Sequence, residues 1–188
     1  MAFFKLNRLH LHLTDDQGWR IEIKQYPKLM EIGGASAVKG GRSGWYTQEE
    51  LKHLVAYAQA RGITLVPEID LPGHVQAALA SYNELACDDT KNLAPYSGLE
   101  VGFSVLCLDK PDVVYPFVRN VLEEVLAIFP SQEIHVGGDE IKHPLYADFV
   151  SRAAAMVDEM GRTPIFWEEG SVAATKPNVL FQFWNDGY

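Results

Sequence analysis

Ile134-His135-Val136-Gly137-Gly138-Asp139-Glu140 is an apolar run that stops at two glycines and then sets two carboxylates side by side. Glycine lets a backbone turn sharply and approach a ligand closely, and the end of a strand on a rigid sheet is where a pre-positioned acid is useful. Two like charges held close cannot both ionise easily, so one carboxyl tends to keep its proton as a donor while the other stays charged. That division of labour suits cleavage of a glycosidic bond. Seen alone, Gly-Gly-Asp-Glu also fits a surface turn that caps a helix, so the case depends on its surroundings.

Those surroundings are β-rich runs alternating with helical segments. The runs are Arg8 to Leu13, Ile63 to Asp70, Glu133 to Gly137, Thr163 to Glu168 and Val179 to Trp184. Alternation of this kind predicts parallel strands joined by crossover helices. One helix starts at Thr47, where Glu50 completes a capping box, and stops before Gly62, with Leu51, Leu54, Val55 and Ala58 at helical spacing. Pro111-Asp112 opens a second, and Tyr146 to Met160 forms a third that Gly161 ends.

Polar and aromatic residues collect where these strands finish: Thr14-Asp15-Asp16, Glu68-Ile69-Asp70, Asp139-Glu140, Trp167-Glu168-Glu169 and Trp184-Asn185-Asp186. Barrels of the (β/α)8 TIM type build their active sites at these carboxyl ends. The fold class expected is therefore α/β, a TIM-type barrel. A complete one takes about 250 residues, so the recognisable strands make it incomplete, with about five of eight present.

The 188 residues, 47% of them hydrophobic, suffice for one sizeable core and predict a single domain over 1–188. The net charge of −9 argues against nucleic acid or an anionic membrane as partner, because phosphate binding needs clustered Lys and Arg. Apolar runs fall far short of the roughly 20 residues of a membrane span, and the start lacks the apolar core of an export signal. Cys87 and Cys107 share an irregular segment where a bridge is possible but not deducible, and two cysteines are too few for a structural zinc site. His10 and His12 open an alternative, since His-x-His at a strand end presents both rings on one face and could begin a metal-dependent hydrolase site with His74, His135 or Asp139. That reading leaves Gly-Gly-Asp-Glu and the tryptophans at the strand ends without a role.

With these residues in view, the chain resembles the catalytic domain of glycoside hydrolase family 20, the β-N-acetylhexosaminidases. The resemblance rests on His10-Leu11-His12-Leu13-Thr14-Asp15-Asp16-Gln17-Gly18-Trp19-Arg20, Pro67-Glu68-Ile69-Asp70-Leu71-Pro72-Gly73-His74, Glu100-Val101-Gly102-Phe103-Ser104 and His135-Val136-Gly137-Gly138-Asp139-Glu140, in that order. It implies a substrate-assisted reaction, in which the 2-acetamido oxygen of the sugar attacks the anomeric carbon and the enzyme supplies no covalent nucleophile. Glu140 would then be the general acid and base, and Asp139 would hold the acetamido group and face the cationic intermediate. His74 and Asp15 would form a relay toward Glu140, Asp70 a polar wall, and Trp167 and Trp184 the aromatic walls of the acetamido pocket. Trp19 is expected to pack beside the Asp15 loop and Trp45 to anchor the segment before Thr47. The implied substrate is an oligosaccharide ending in N-acetylglucosamine or N-acetylgalactosamine, with no cofactor and no metal.

The resemblance also implies an arginine on the first barrel strand, a tyrosine with an aspartate after the seventh, and a tryptophan with a carboxylate at the eighth. None has a counterpart here. An open parallel sheet leaves unpaired edges and uncovered apolar faces, which predicts self-association through those edges. A binding protein without turnover is the second reading, keeping Asp139, Trp167 and Trp184.

Overall fold

The computed structural model describes residues 1–90, 92–173 and 178–184. In chain order its elements are β1 (Arg8–His12), the short antiparallel pair β2 (Thr14–Asp15) and β3 (Gly18–Trp19), α1 (Lys28–Glu31), α2 (Gln48–Gln59), β4 (Thr64–Glu68), α3 (Gln76–Ser81) and α4 (Pro111–Ile128). Then come β5 (Glu133–His135), α5 (Tyr146–Glu159), β6 (Thr163–Trp167), a 3₁₀ segment Glu168–Val172 and β7 (Leu180–Gln182). The strands β1-β4-β5-β6-β7 form one five-stranded sheet in sequence order, each neighbour pair parallel. This is an incomplete barrel: among the described residues the sheet does not close, and β1 and β7 are its edges.

Local chemistry explains where the helices begin. The Thr47 hydroxyl accepts from Glu50 N at 3.2 Å while the Glu50 carboxylate accepts from Thr47 N at 2.8 Å, a reciprocal cap for α2 worth about 1 kcal/mol. Leu51, Val55 and Ala58 are buried as their spacing requires, whereas Leu54 is turned outward and 38% exposed, a departure from the expected face. Pro111 suits the first turn of α4 because the amide it lacks has no partner there anyway. Val118, Val121, Leu122 and Val125 of α4 are fully buried and lie in one core with Phe149 of α5 and Phe166 of β6. Burying each such side chain contributes roughly 1.5–3 kcal/mol. Among the described residues, no helix is long and apolar enough to cross a membrane.

The strands are shorter than the sequence runs suggest, because pairing stops once the chain reaches the polar tips. The β2–β3 hairpin is not marked by any apolar run; it turns the Asp15 loop back so that Thr14 pairs with Trp19. Trp19 is buried there, its indole N–H donating to Ile21 O at 2.9 Å. Trp45 is 43% exposed and lies against Gly34, leaving little room for a side chain at that glycine.

Cys87 and Cys107 are joined by a disulfide, which closes the question their spacing leaves open. The bond staples the irregular segment between α3 and α4. Beyond Gly102 that segment runs back along Pro72-Gly73-His74-Val75: Gly73 bridges to Val105, Leu106 N donates to Pro72 O, and Val75 N donates to Ser104 Oγ at 2.8 Å.

Candidate active site

The carboxyl ends of β1, β4 and β5 converge on His74. Its Nδ1 lies 3.1 Å from Asp15 Oδ1, and its Nε2 lies 3.6 Å from Asp139 Oδ2 and 3.5 Å from Glu140 Oε2. One ring thus meets all three acids that the sequence places in its company. Burial alone would lower the pKa of this imidazole, but the hydrogen bond with Asp15 and the charges of Asp70 and Asp139 outweigh it and hold the ring up at about 9. Asp15 is correspondingly held below the usual carboxylate range, its own burial outweighed by hydrogen bonds with His12 and His74.

The backbone that presents these groups is unusual at both ends of the contact. His74 (φ 55°) and Glu140 (φ 58°) stand in the left-handed region that side chains other than glycine rarely occupy. Such strain costs on the order of 1–3 kcal/mol and persists only where neighbours impose it. Gly137, at φ 77°, passes so close to Asp70 Oδ1 that a side chain there would collide with it. Gly138 N donates to the same carboxyl at 3.2 Å, and Tyr146 donates its hydroxyl proton to Gly138 O. Gly102, also left-handed, lets the stapled segment lie directly on the Glu140 carboxylate.

Sequence adjacency suggests that Asp139 and Glu140 perturb each other; in the structure the like-charge partner of Asp139 is Asp70. Asp70 is buried, and that burial, followed by the Asp139 charge, pushes it well above the usual carboxylate range. Asp139 is pushed up by burial against the pull of His74 and of a hydrogen bond with Asp70. Asp70 Oδ2 and Asp139 Oδ1 are both buried acceptors in want of a donor.

Trp167 and Trp184 meet edge to face with ring centroids 6.5 Å apart, Trp167 partly buried and Trp184 49% exposed. Carboxylates pin both indoles: Trp167 Nε1 donates to Glu68 Oε1 at 3.0 Å, and Trp184 Nε1 lies 3.3 Å from both oxygens of Glu169. Trp184 N donates to Glu168 Oε2 at 2.8 Å. Asn185 and Asp186 lie outside the described residues. Glu68, Glu169 and Tyr146 are site residues that sequence reasoning misses. Glu68 and Glu169 carry a signal, as acids where the apolar runs ending at Glu68 and Trp167 stop; Tyr146 carries none.

His10 and His12, the start of the alternative metal site, both turn to Glu68, with His10 Nε2 and His12 Nδ1 at 2.6 and 2.9 Å from its Oε2. Among the described residues His10, Glu68 and His135 come close enough to share an ion, while His74 groups with Asp70 and Asp139. A further group, His12 with Glu68 and Asp70, shares Glu68 with the first and Asp70 with the second, so these described residues form overlapping sets and no single set holds both histidines of the His-x-His pair.

Titration of His74 has a consequence for stability. The folded ring sits at about 9 against an ordinary 6.5, so its pairing stabilises the fold fully below about 6.5 and is lost as pH rises through 9. Thermal melts between about pH 7 and pH 10 should show stability falling in that window, and His74→Gln should make the fall shallower, the remainder coming from His12, whose ring is raised to about 11. A wild-type melt level across that window would refute the assignment.

Residues 1–148 match the family described as glycosyl hydrolase family 20, catalytic domain. A β-N-acetylhexosaminidase of Cellulomonas fimi is 41% identical over 98% of the chain, which spans 38% of that relative. A β-hexosaminidase of Akkermansia muciniphila is 38% identical over the whole chain, which spans 43% of it. The structure of a β-N-acetylhexosaminidase from Streptomyces coelicolor A3(2) superposes with a TM-score of 0.95 at 42% identity, covering all of this chain and 38% of the other. A mutant Streptomyces plicatus β-hexosaminidase in complex with the product GlcNAc gives 0.94 at 44%, with the same coverage. The chain spans less than half the length of these relatives.

Proposed function

The chain belongs to glycosyl hydrolase family 20, and on that premise we propose that it hydrolyses terminal, non-reducing β-linked N-acetylhexosamine residues by a substrate-assisted, retaining reaction. The observation that carries this reading is the His74 ring, seated between Asp15 on one side and Asp139 and Glu140 on the other.

In the first step the acetamido oxygen of the substrate attacks its own anomeric carbon. The glycosidic bond breaks, its electron pair leaves with the departing oxygen, and Glu140 gives that oxygen a proton. Asp139 orients the acetamido N–H and faces the positive charge that spreads over the new ring. In the second step water attacks the anomeric carbon as Glu140 takes its proton, the bond from that carbon to the acetamido oxygen breaks with its electron pair returning to the acetamido group, and two inversions leave the β configuration. His74, protonated and held by Asp15, offsets the charge of whichever neighbouring carboxylate is ionised. Trp167 and Trp184 wall the acetamido group and exclude water from it. Comparing p-nitrophenol release from its β-N-acetylglucosaminide by the wild type and by Glu140→Gln tests the reading.

The open edges at β1 and β7 support a second, finer statement, that copies of the chain associate and cover them. Light scattering should then give a mass above 21.0 kDa; a monomer with a cooperative melt would refute it. The alternative reading, sugar binding without turnover, predicts saturable binding of N-acetylglucosamine and no glycoside hydrolysis.

A further inference from the structure

The inner face of the sheet carries a polar layer where barrel interiors are usually packed with branched apolar side chains. His12, Glu68 and His135 are in register across β1, β4 and β5, so their side chains share that face. His10, two residues before His12, and Trp167, two residues beyond the Ile165 that pairs with His135, complete the layer. Glu68 is at its centre and fully buried.

Burying an anion costs several kcal/mol and is tolerated only with close partners, while an apolar residue of similar volume is often at least as stabilising. The fold therefore does not need an acid here. Yet this one has its oxygens divided between two tasks. Oε1 accepts from the Trp167 indole at 3.0 Å; Oε2 meets His10 Nε2 at 2.6 Å and His12 Nδ1 at 2.9 Å, and of these two rings His12 is the one that reaches on toward Asp15. The other ring nitrogen of His12 lies 3.4 Å from Asp15 Oδ2, and Asp15 Oδ1 holds His74. From Glu68 a line of alternating charge thus reaches Asp139 and Glu140 through His12, Asp15 and His74.

His135 does not belong to that line despite lying 3.4 Å from Glu68. Its Nδ1 accepts from Gly137 N at 3.0 Å, so that nitrogen has no proton to share, and burial keeps the ring neutral, pushed down to about 4. Burial acts the same way on His12, but hydrogen bonds with Asp15 and Glu68 outweigh it and raise that ring to about 11.

We propose that Glu68 is a positioning residue of the site: one carboxylate oxygen sets the tilt of the Trp167 pocket wall and the other fixes the His12–Asp15–His74 line that orients the acid. The proposal rests on the hexosaminidase reading above, and the groups facing Glu68 are His10 and His12 from β1, His135 from β5 and Trp167 from β6.

The test compares wild type, Glu68→Gln, Glu68→Asp, Trp167→Phe and the double variant Glu68→Gln/Trp167→Phe. Two readouts are needed: the NMR titration of His12, and equilibrium binding of a cyclic thiazoline mimic of the intermediate. Glutamine keeps the shape but removes the charge, so the His12 transition should fall toward ordinary histidine values, and mimic affinity should fall on the order of 10- to 100-fold, the effect of misplacing a contact by about 1 Å. Glu68→Asp keeps the charge and should recover part of both losses. The double variant should bind no worse than the poorer single one, because both changes release the same wall. If Glu68→Gln does not fold, Glu68→Asp and Trp167→Phe carry the test: a shifted His12 titration with weakened binding in the first supports the proposal, and wild-type values in both readouts overturn it. Wild-type protein that binds the mimic alongside an unaffected Glu68→Gln overturns this proposal alone. Wild-type protein that binds no mimic overturns the hexosaminidase reading, and this proposal with it.

Discussion

Glu140→Gln should lower hydrolysis by on the order of 10²- to 10⁴-fold, the usual worth of a positioned acid–base group. Glutamine matches the size of the side chain, so it should keep the packing against Gly102 and the left-handed backbone at this position. What it cannot do is give up a proton. The loss should therefore appear in kcat with KM little changed, the pattern of an interaction made only in the transition state. The size of the loss should also depend on the leaving group: greatest for a sugar, whose oxygen needs the proton, and smaller for p-nitrophenol, which leaves readily without one. Steady-state rates on both substrates check this, and near-wild-type rates in the variant would refute the assignment.

Asp139→Asn should cost on the order of 10²- to 10³-fold, comparable with removal of a preorganised group facing developing charge. The substitution keeps a hydrogen-bond acceptor for the acetamido N–H but removes the charge opposite the cation. Ground-state affinity for N-acetylglucosamine should change little, while affinity for a positively charged mimic of the intermediate should fall sharply. Equal losses for the two ligands would mean that Asp139 only shapes the pocket. The variant also removes the charge that helps to raise Asp70, so the Asp70 pKa should fall.

The parts of this site that are legible in the sequence are those written locally. Gly137-Gly138 followed by Asp139-Glu140 announces a sharp turn presenting acids, and alternation of apolar runs with capped helices announces the parallel sheet behind it. Thr47 with Glu50 marks the start of α2 because a capping box is made within one turn. What stays hidden depends on register between distant segments. Nothing in the sequence shows that Glu68 stands between His12 and His135, because that neighbourhood exists only once β1, β4 and β5 pair. The coupling of Asp139 to Asp70 rather than to its chain neighbour is hidden for the same reason. So is the disulfide, whose cysteines are 20 residues apart in an irregular segment and meet only when that segment folds back along Gly73. Leu54 obeys the helical spacing yet faces outward, since the period fixes a stripe but not how far the partner surface extends along it.

The most direct test of the central claim is p-nitrophenol release by this chain from the β-N-acetylglucosaminide beside the matching β-glucoside, which lacks the acetamido group. A substrate-assisted site predicts release from the first that depends on Glu140, and essentially none from the second. Comparable rates on the two glycosides, or an undiminished rate on the first in Glu140→Gln, would contradict the account.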